Sequence, residues 1–240
     1  MKFQGKVVIV TGVSGDGQIG QWIAQAFAKE GARLAISARR EDKLTARARE
    51  IKELGAEVLA VPGDLSEESA AEDLVRRVLD AYTKVDILVN LAGGLTQYKS
   101  ATDHTLEDWT SELNNNLLTA FLCSRAVFGP MKAGGGGFIV NFARAGSPQA
   151  KMVAYNCAKA GVAALTRTLA LEGRKYKINV NAVAPGLVDT KSNLKAMQPK
   201  EEERWRWPTR EEIAAAVMFL ASEQANGITG QVLEVSGRMA

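Results

Sequence analysis

Residues 7–20 read Val7-Val8-Ile9-Val10-Thr11-Gly12-Val13-Ser14-Gly15-Asp16-Gly17-Gln18-Ile19-Gly20, and this stretch decides the fold. An apolar run ends in a glycine-rich loop, and an amphipathic helical pattern begins directly after it. Glycines let the backbone approach a phosphate, and a helix N-terminus presents unpaired N–H groups and the positive end of its dipole. The order strand, glycine loop, helix therefore predicts a dinucleotide-binding site.

The same alternation of short apolar runs and longer amphipathic stretches continues along the chain, which is typical of a parallel sheet covered by helices. Seven strands are predicted: 6–11, 33–37, 57–61, 87–90, 138–142, 179–183 and 232–235. Six helices are predicted: 19–30, 41–54, 67–82, 106–131, 153–176 and 211–222. Because no linker interrupts this pattern, residues 1–240 are predicted to form a single α/β domain.

Composition excludes several classes of protein. The chain has 240 residues, 46% hydrophobic and 24% charged, which is typical of a globular protein and not of disordered or fibrous chains. Its 30 basic and 27 acidic residues give a net charge of +3 and are interleaved. Because no basic stripe is visible, we expect no nucleic-acid partner.

Rare residue types narrow the setting and the chemistry. Cys123 and Cys157 both lie in apolar helical patterns, which predicts reduced core thiols and a cytoplasmic protein. The chain shows neither a signal-peptide pattern nor an apolar run long enough to span a membrane, so no membrane association is expected. The single histidine, His104, lies in a polar run that predicts an exposed helix entry. One histidine argues against imidazole triads and multi-histidine metal sites, and no metal is predicted.

The end of the second predicted strand indicates which dinucleotide is bound. When the cofactor has no 2′-phosphate, a carboxylate about twenty residues after the glycine loop usually binds its ribose 2′-hydroxyl. Here the strand ends Ser37-Ala38-Arg39-Arg40, and the first carboxylate is Glu41. A guanidinium at Arg39 suits a 2′-phosphate, which favours NADP over NAD. The alternative is that both arginines are solvated surface residues.

Tyr155 and Lys159 form a candidate catalytic pair. Residues four apart on a helix lie on one face, about 5 to 6 Å apart at Cβ. A nearby ammonium favours the phenolate, so the pair predicts a tyrosine whose pKa falls from about 10 toward neutrality. Such a tyrosine can serve as a general acid or base. The alternative is an ordinary Tyr and Lys on a helix surface.

With these residues the whole chain resembles the short-chain dehydrogenase/reductase family. The resemblance rests on an ordered set of motifs: Thr11-Gly12 with Gly17 and Gly20, Asp64, Asn90-Leu91-Ala92-Gly93, Asn116, Tyr155 with Lys159, Pro185-Gly186, and Ile228-Thr229-Gly230-Gln231. It implies a Rossmann fold with a doubly wound, seven-stranded parallel sheet. Some members are 3-oxoacyl-[acyl-carrier-protein] reductases, but that likeness does not identify the substrate.

The resemblance also implies an activity and a set of site residues. Tyr155 would protonate a carbonyl oxygen during hydride transfer from the nicotinamide, Lys159 would hold the ribose, and Asn116 would support a proton relay. The implied cofactor-binding residues are Gly12, Gly17, Ile19, Gly20, Arg39, Asp64, Leu65, Asn90, Ala92, Gly93, Tyr155, Lys159, Pro185, Gly186 and Val188. Relatives pair through the helices 106–131 and 153–176, which implies a homodimer or homotetramer. Enoyl reductases of the family space their Tyr and Lys more widely and are disfavoured.

One departure from the family pattern concerns its catalytic serine, at the end of the fifth strand. Alignment from the strand puts Arg144 there, and counting back thirteen positions from Tyr155 puts Phe142 there. Three interpretations stay open: Ser147 enters the site, Arg144 binds the substrate oxygen, or turnover is impaired. The last makes the chain a nucleotide-binding or scaffold protein. The alternative for Arg144 is that it points to solvent or pairs with a neighbouring carboxylate.

Two further departures concern loops. The loop from Gly12 to Gly20 is two residues longer than the family's, and its Asp16 is expected to turn away from a pyrophosphate. Residues 187–210 are expected to form a short substrate loop. Its Trp205-Arg206-Trp207-Pro208 run is either a wall over the substrate or simple packing.

Overall fold

The computed structural model describes residues 1–238, and within them seven strands form one parallel sheet in the order β3-β2-β1-β4-β5-β6-β7. Residues 239 and 240 of the predicted domain lie outside the described part. The strands are β1 Val7–Thr11, β2 Arg33–Ala38, β3 Val58–Pro62, β4 Ile87–Asn90, β5 Gly137–Phe142, β6 Ile178–Pro185 and β7 Val232–Val235. The predicted α/β class and the seven parallel strands are confirmed.

Helices cover both faces of the sheet. They are α1 Ile19–Lys29, α2 Glu41–Glu53, α3 Glu68–Tyr82, α4 Leu106–Leu113, α5 Thr119–Ala133, α6 Val153–Gly173, α7 Lys191–Met197, α8 Glu201–Arg204 and α9 Arg210–Leu220. The predicted helix 106–131 is interrupted by a π-helical turn at Asn114–Leu118, and α6 ends in a 3₁₀ turn at Arg174–Tyr176. Helices α7 and α8 were not predicted, because both are short and polar.

Strand β1 shows why the apolar runs become buried strands. All five of its residues are buried. Val8 and Val10 pack into the core on one face, and Val7 and Ile9 pack into the core on the other. Since side chains alternate along a strand, an uninterrupted apolar run requires cover on both faces. Full burial of each such side chain contributes about 1.5 to 3 kcal/mol.

The strand order reverses between β1 and β4, and this position locates the site. The chain leaves β1 toward α1 on one side of the sheet and leaves β4 on the other. The two loops diverge at the carboxyl ends of these strands and open a crevice between them. In open parallel sheets this is where ligands bind.

Two predictions from rare residues were wrong. Cys123 is buried, but Cys157 is exposed, because it lies on the side of α6 away from the sheet. His104 is partly buried, not exposed, and its Nδ1 lies 3.0 Å from the Ser100 carbonyl oxygen. Both errors arise because a helical pattern gives spacing along the chain but does not identify what packs on each face.

Candidate active site

The loop between β1 and α1 is built by backbone in close contact. Gly12 has φ +76°, and a Cβ there would lie 2.9 Å from the Ala92 nitrogen. A Cβ on Gly20, at the start of α1, would lie 2.7 Å from the Gly12 carbonyl oxygen. Gly17 also has a positive φ. The loop therefore packs directly on the segment after β4, as the predicted cofactor-binding role of these glycines requires.

The N-terminus of α1 begins at Ile19 and lies next to this loop. Within the described chain, no side chain caps its first turn and no acidic residue lies there. Asp16, the acidic residue in the longer loop, faces outward and forms ion pairs with Arg47 of α2 and Lys191 of α7. The hydrogen bond from Lys191 lowers the pKa of the Asp16 carboxyl. The expectation that Asp16 turns outward is met, and the positive helix end is left for an anion.

Arg39 follows β2 at the edge of an open groove of about 550 Å³, which is also lined by Asp64 and α4. Its side chain is 62% exposed, and its Nη1 lies 3.3 Å from Asn115 Oδ1 and 4.0 Å from Asp64 Oδ2. Burial opposes ionisation of Asp64, but hydrogen bonds from Ser66 outweigh it and lower the pKa of the Asp64 carboxyl. The next residue, Leu65, is buried in the core. The structure thus brings Arg39 and Asp64 together at this groove.

The segment after β4 forms the opposite wall. The Ala92 nitrogen donates to Thr11 Oγ1 at 3.0 Å, and a Cβ on Gly93 would lie 2.6 Å from Asn116 Oδ1. Asn90 differs from these two, because its amide is buried and donates to Asn141 Oδ1 and Ser124 Oγ, each at 2.9 Å. The Nδ2 of Asn90 is therefore occupied within the fold.

The segment after β6 forms the third wall, where Pro185 ends the strand. The Gly186 nitrogen donates to the Val235 carbonyl at 3.0 Å, and a Cβ on Gly186 would lie 3.0 Å from Ser236 Cα. The Val188 side chain is buried in the core, and its carbonyl accepts from Asn193 in α7. Of the two tryptophans in the loop that follows, Trp207 is buried and Trp205 is exposed, so Trp207 serves packing.

Tyr155 and Lys159 lie on one face of α6, with the Lys159 Nζ 5.7 Å from the Tyr155 ring centroid. Lys159 is buried, and its Nζ donates to the Phe142 carbonyl at 2.8 Å. Burial lowers the pKa of Lys159 to about 8. Burial also raises the pKa of the Tyr155 phenol, with Arg144 acting in the opposite direction. The predicted lowering by Lys159 is wrong here, because desolvation outweighs the neighbouring charge.

Arg144 lies two residues after β5, whose last carbonyl, that of Phe142, accepts from Lys159. Phe142 ends β5 with its ring buried in the core, which excludes it as the substitute for the family's serine. The neighbouring Ala143 and Ala145 nitrogens donate to β6 carbonyls, which extends the pairing with β6 past Arg144. Its guanidinium lowers the pKa of Tyr155 and donates to the Ser147 carbonyl at 2.7 Å. Arg144 therefore contacts no carboxylate in the described chain, and Ser147 is exposed.

Asn116 is buried in the π-helical turn. Its Nδ2 donates to the Gly94 carbonyl at 3.1 Å and to Glu112 Oε2 at 3.0 Å, and its Oδ1 accepts from the Gly94 nitrogen at 2.9 Å. Glu112 is completely buried, and the sequence did not single it out. Its position four residues before Asn116, on the same helical face, is the signal that could have identified it.

Two structural features bear on other kinds of function. Across residues 1–238, no group of three or more His, Cys, Asp or Glu side chains is placed to hold a metal ion. Within the same residues, no helix is both long and apolar enough to cross a bilayer.

Comparison with known proteins identifies relatives along the full chain. A family model described as enoyl-(acyl carrier protein) reductase matches residues 12–239. The (2S)-[(R)-hydroxy(phenyl)methyl]succinyl-CoA dehydrogenase subunit BbsD of Thauera aromatica is 36% identical over 99% of this chain and 97% of its own. The 3-oxoacyl-[acyl-carrier-protein] reductase FabG of Chlamydia pneumoniae is 35% identical over 97% of this chain and 96% of its own.

A solved structure extends the likeness to three dimensions. The 7α-hydroxysteroid dehydrogenase in complex with NADH and 7-oxo glycochenodeoxycholic acid superposes with a TM-score of 0.90. It is 31% identical and covers 98% of this chain and 94% of its own. Together with the matched family model and the site geometry, these relatives show that the chain belongs to the short-chain dehydrogenase/reductase family of nicotinamide-dependent oxidoreductases.

Proposed function

We propose that the protein is an NADP-dependent carbonyl reductase or alcohol dehydrogenase in which Tyr155 is the general acid and base. The observation that carries the proposal is the buried Lys159 beside the Tyr155 ring on α6, at the carboxyl edge of the sheet. Lys159 Nζ lies 5.7 Å from the ring centroid, and the charge of Arg144, two residues after β5, opposes the rise of the Tyr155 pKa. The glycine loop ends at the same edge.

The residues present fit a nicotinamide dinucleotide. Gly12 and Gly20 leave no room for a Cβ, so bare backbone lines the crevice, and the first turn of α1 offers N–H groups to a pyrophosphate. We propose that Gly12, Gly17, Ile19 and Gly20 bind the pyrophosphate, and that Asp64, Leu65, Asn90, Ala92 and Gly93 line the adenosine side. Lys159, Pro185, Gly186 and Val188 would lie beside the nicotinamide end. When bound, the cofactor supplies a hydride to a carbonyl carbon or accepts one from an alcohol.

Tyr155 provides the proton that accompanies this hydride. In reduction, its Oη gives a proton to the substrate oxygen as negative charge develops there, and in oxidation the phenolate takes it back. Because burial raises the pKa of Tyr155, the phenol keeps its proton at neutral pH. Reduction therefore has its acid in the correct form near neutrality, whereas oxidation requires deprotonation and gains rate as the pH rises.

Arg144 replaces the missing hydroxyl as a donor to the substrate oxygen. A guanidinium has five N–H donors and cannot give up its proton, so Arg144 stabilises an oxyanion while Tyr155 remains the acid. Its Nη1 is held by the Ser147 carbonyl, which orients the group and leaves its other N–H groups for substrate.

Arg39 favours NADP as the cofactor. Its exposed guanidinium lies at the edge of the groove after β2, where a 2′-phosphate would meet a bidentate donor. The 7α-hydroxysteroid dehydrogenase relative was solved with NADH, so family membership by itself does not select NADP. The choice here rests on Arg39 and on the adjacent Arg40.

We propose a small ketone or a 3-oxoacyl thioester as substrate, bound within one domain beneath a substrate loop of about residues 187–210. The relatives named above act on a CoA ester, a 3-oxoacyl-[acyl-carrier-protein] and a steroid. We also propose a homodimer or homotetramer that pairs through α5 and α6, which expose Phe121 and Leu171. A monomer in light scattering would contradict the assembly.

The test measures NADPH oxidation with a panel of ketones, 3-oxoacyl thioesters and, for comparison, enoyl thioesters. We expect turnover with a carbonyl substrate, NADPH preferred over NADH, and a loss of about 10² to 10⁴ in kcat in Tyr155→Phe. NADPH affinity should stay unchanged in that variant. Absence of turnover over the whole panel would contradict the proposed enzyme.

A second candidate is a nucleotide-binding or scaffold protein without efficient turnover. It is favoured by the absence of a serine hydroxyl beside Tyr155 and by the raised pKa of that phenol. It predicts that Tyr155→Phe changes neither NADPH binding nor any measurable rate. The same variant therefore decides between the two candidates.

A further inference from the structure

Glu112 is a completely buried carboxylate on α4, beside the proposed catalytic residues. Oε1 accepts from the Thr96 nitrogen at 2.5 Å, Thr96 Oγ1 at 2.8 Å and the Gln97 nitrogen at 2.9 Å. Oε2 accepts from Asn116 Nδ2 at 3.0 Å. Burying a charge without partners costs several kcal/mol, and four donors offset that cost here. The number of donors indicates a built site for an ionised carboxylate.

These contacts join two parts of the site. Thr96 and Gln97 belong to the loop after β4, whereas Asn116 lies in the π-helical turn. Because the carboxylate can only accept, the amide of Asn116 must present its Nδ2 to Glu112. Its Oδ1 then faces the Gly94 nitrogen, 2.9 Å away. The Glu112 carboxylate thus acts together with the Gly94 and Glu112 backbone carbonyls, which also accept from Nδ2, to hold the proposed relay residue in this orientation.

Glu112 also provides the negative charge of this region. Burial lowers the pKa of Lys159, and the charge of Glu112 opposes that effect. Burial raises the pKa of Tyr155, and the charge of Glu112 adds to that effect while Arg144 opposes it. The nearest acid on its own helix, Asp108, is paired with Lys99 at 2.7 Å. Within residues 1–238, Glu112 is the carboxylate that acts on both proposed catalytic side chains.

We propose that Glu112 is a positioning residue for the reaction, fixing the amide of Asn116 and the Thr96–Gln97 loop and placing one negative charge near Tyr155 and Lys159. This role rests on the proposed function. A role for Glu112 does not follow from family membership or from the Tyr155–Lys159 pair, since it depends on a carboxylate contributed by α4.

The principal test is Glu112→Gln, which keeps the side-chain volume and removes the charge. In the variant an NH₂ group or a neutral oxygen faces Asn116 Nδ2, so the charge-assisted hydrogen bond is lost. Such a bond contributes about 1.5 to 3 kcal/mol, which corresponds to a loss of about ten- to hundredfold in kcat. KM and NADPH affinity should change less than kcat, because the residue acts through Asn116 and Tyr155.

Direct titration gives a readout that does not depend on turnover. The chain has four tyrosines, so ultraviolet titration of each variant against its Tyr155→Phe counterpart isolates the Tyr155 phenol. Since Glu112 raises the pKa of Tyr155, Glu112→Gln should lower it. The alkaline limb of the rate of alcohol oxidation should move to lower pH in the same direction.

Two further variants keep the result interpretable. Glu112→Asp retains the charge but shortens the side chain, so kcat should fall while the titration of Tyr155 stays near wild type. The same variant tests the proposal if Glu112→Gln fails to fold. Glu53→Gln removes an exposed carboxylate at the end of α2 and should match wild type.

A Glu112→Gln protein with wild-type kcat and an unmoved Tyr155 titration would overturn the proposal. Reduced kcat with an unmoved titration would also overturn it, since that result indicates only a structural role for Glu112. Failure of the proposed function is distinct, because wild type would then show no Tyr155-dependent turnover while the titration shift could still be measured.

Discussion

The cofactor end and the catalytic end of this protein are built from opposite materials. At the cofactor end, the essential feature is the absence of side chains, as at Gly12 and Gly20, where a Cβ would collide with backbone. At the catalytic end, the essential features are buried or half-buried charged side chains, Arg144, Lys159 and Glu112. The difference teaches that backbone shape forms one half of the site and desolvated charge forms the other.

The largest expected effect tests the charged half. Arg144→Met should reduce kcat by about a hundredfold to a thousandfold, because a donor to the developing oxyanion is lost. Since Arg144 lowers the pKa of Tyr155, its removal should also raise that pKa and move the alkaline limb of alcohol oxidation to higher pH. Steady-state rates in both directions across pH measure the two effects.

Arg144→Lys provides the matched control. A lysine keeps the charge but lacks the planar fork, so the rate should be intermediate and the pH limb should stay near wild type. If Arg144→Met matched wild type in both rate and pH profile, the guanidinium would have only the structural role of hydrogen-bonding the Ser147 carbonyl.

The next effect tests the backbone half. Gly12→Ala places a Cβ 2.9 Å from the Ala92 nitrogen at φ +76°, so the loop must shift. Loss of one charged hydrogen bond to the pyrophosphate would weaken NADPH binding by about ten- to hundredfold. Equilibrium binding by NADPH fluorescence measures this change.

Gly55→Ala separates backbone strain from crowding. Gly55 also has a positive φ, +82°, but a Cβ there meets nothing within 4 Å. Both variants should lose about 1 to 2 kcal/mol of unfolding free energy from the left-handed conformation. Only Gly12→Ala should lose cofactor affinity, and equal affinity in the two variants would contradict the close-packed loop.

The smallest expected effect concerns the exposed Arg39, which belongs to the cofactor end yet relies on charge. Arg39→Ala should weaken NADPH binding by about tenfold and leave NADH binding unchanged, because only the 2′-phosphate is lost as a partner. Arg33→Ala, which removes an exposed arginine at the opposite end of β2, is the control. An equal loss for both dinucleotides would argue against NADP recognition.

Sequence patterns predicted the elements whose identity depends on local spacing. Apolar runs such as Val7 to Val10 gave the strands, and Tyr155 and Lys159 shared a helical face because they are four residues apart. Chain spacing alone left Phe142 and Arg144 as equal candidates beside Tyr155. The pairing of β5 with β6 separates them, since Phe142 is paired and buried in the core, whereas Arg144 lies beyond the end of β5.

Other features depend on packing between distant segments. Glu112 becomes a buried site residue only because the Thr96–Gln97 loop folds over α4. Cys157 is exposed because α6 turns that side away from the sheet. The direction of the Tyr155 pKa was predicted wrongly, since desolvation depends on every segment that covers the phenol.

The sequence by itself determined the parallel α/β sheet, the glycine loop after β1 and the Tyr155–Lys159 pair. The hydrophobic period, the backbone freedom of glycine and helical spacing are all local properties, so they can be read from residues close together in the sequence. Only the tertiary structure decided that Phe142 is buried in the core and that Glu112 is buried against Asn116. Burial and charge are properties of contacts between segments far apart in the chain, and the fold creates those contacts.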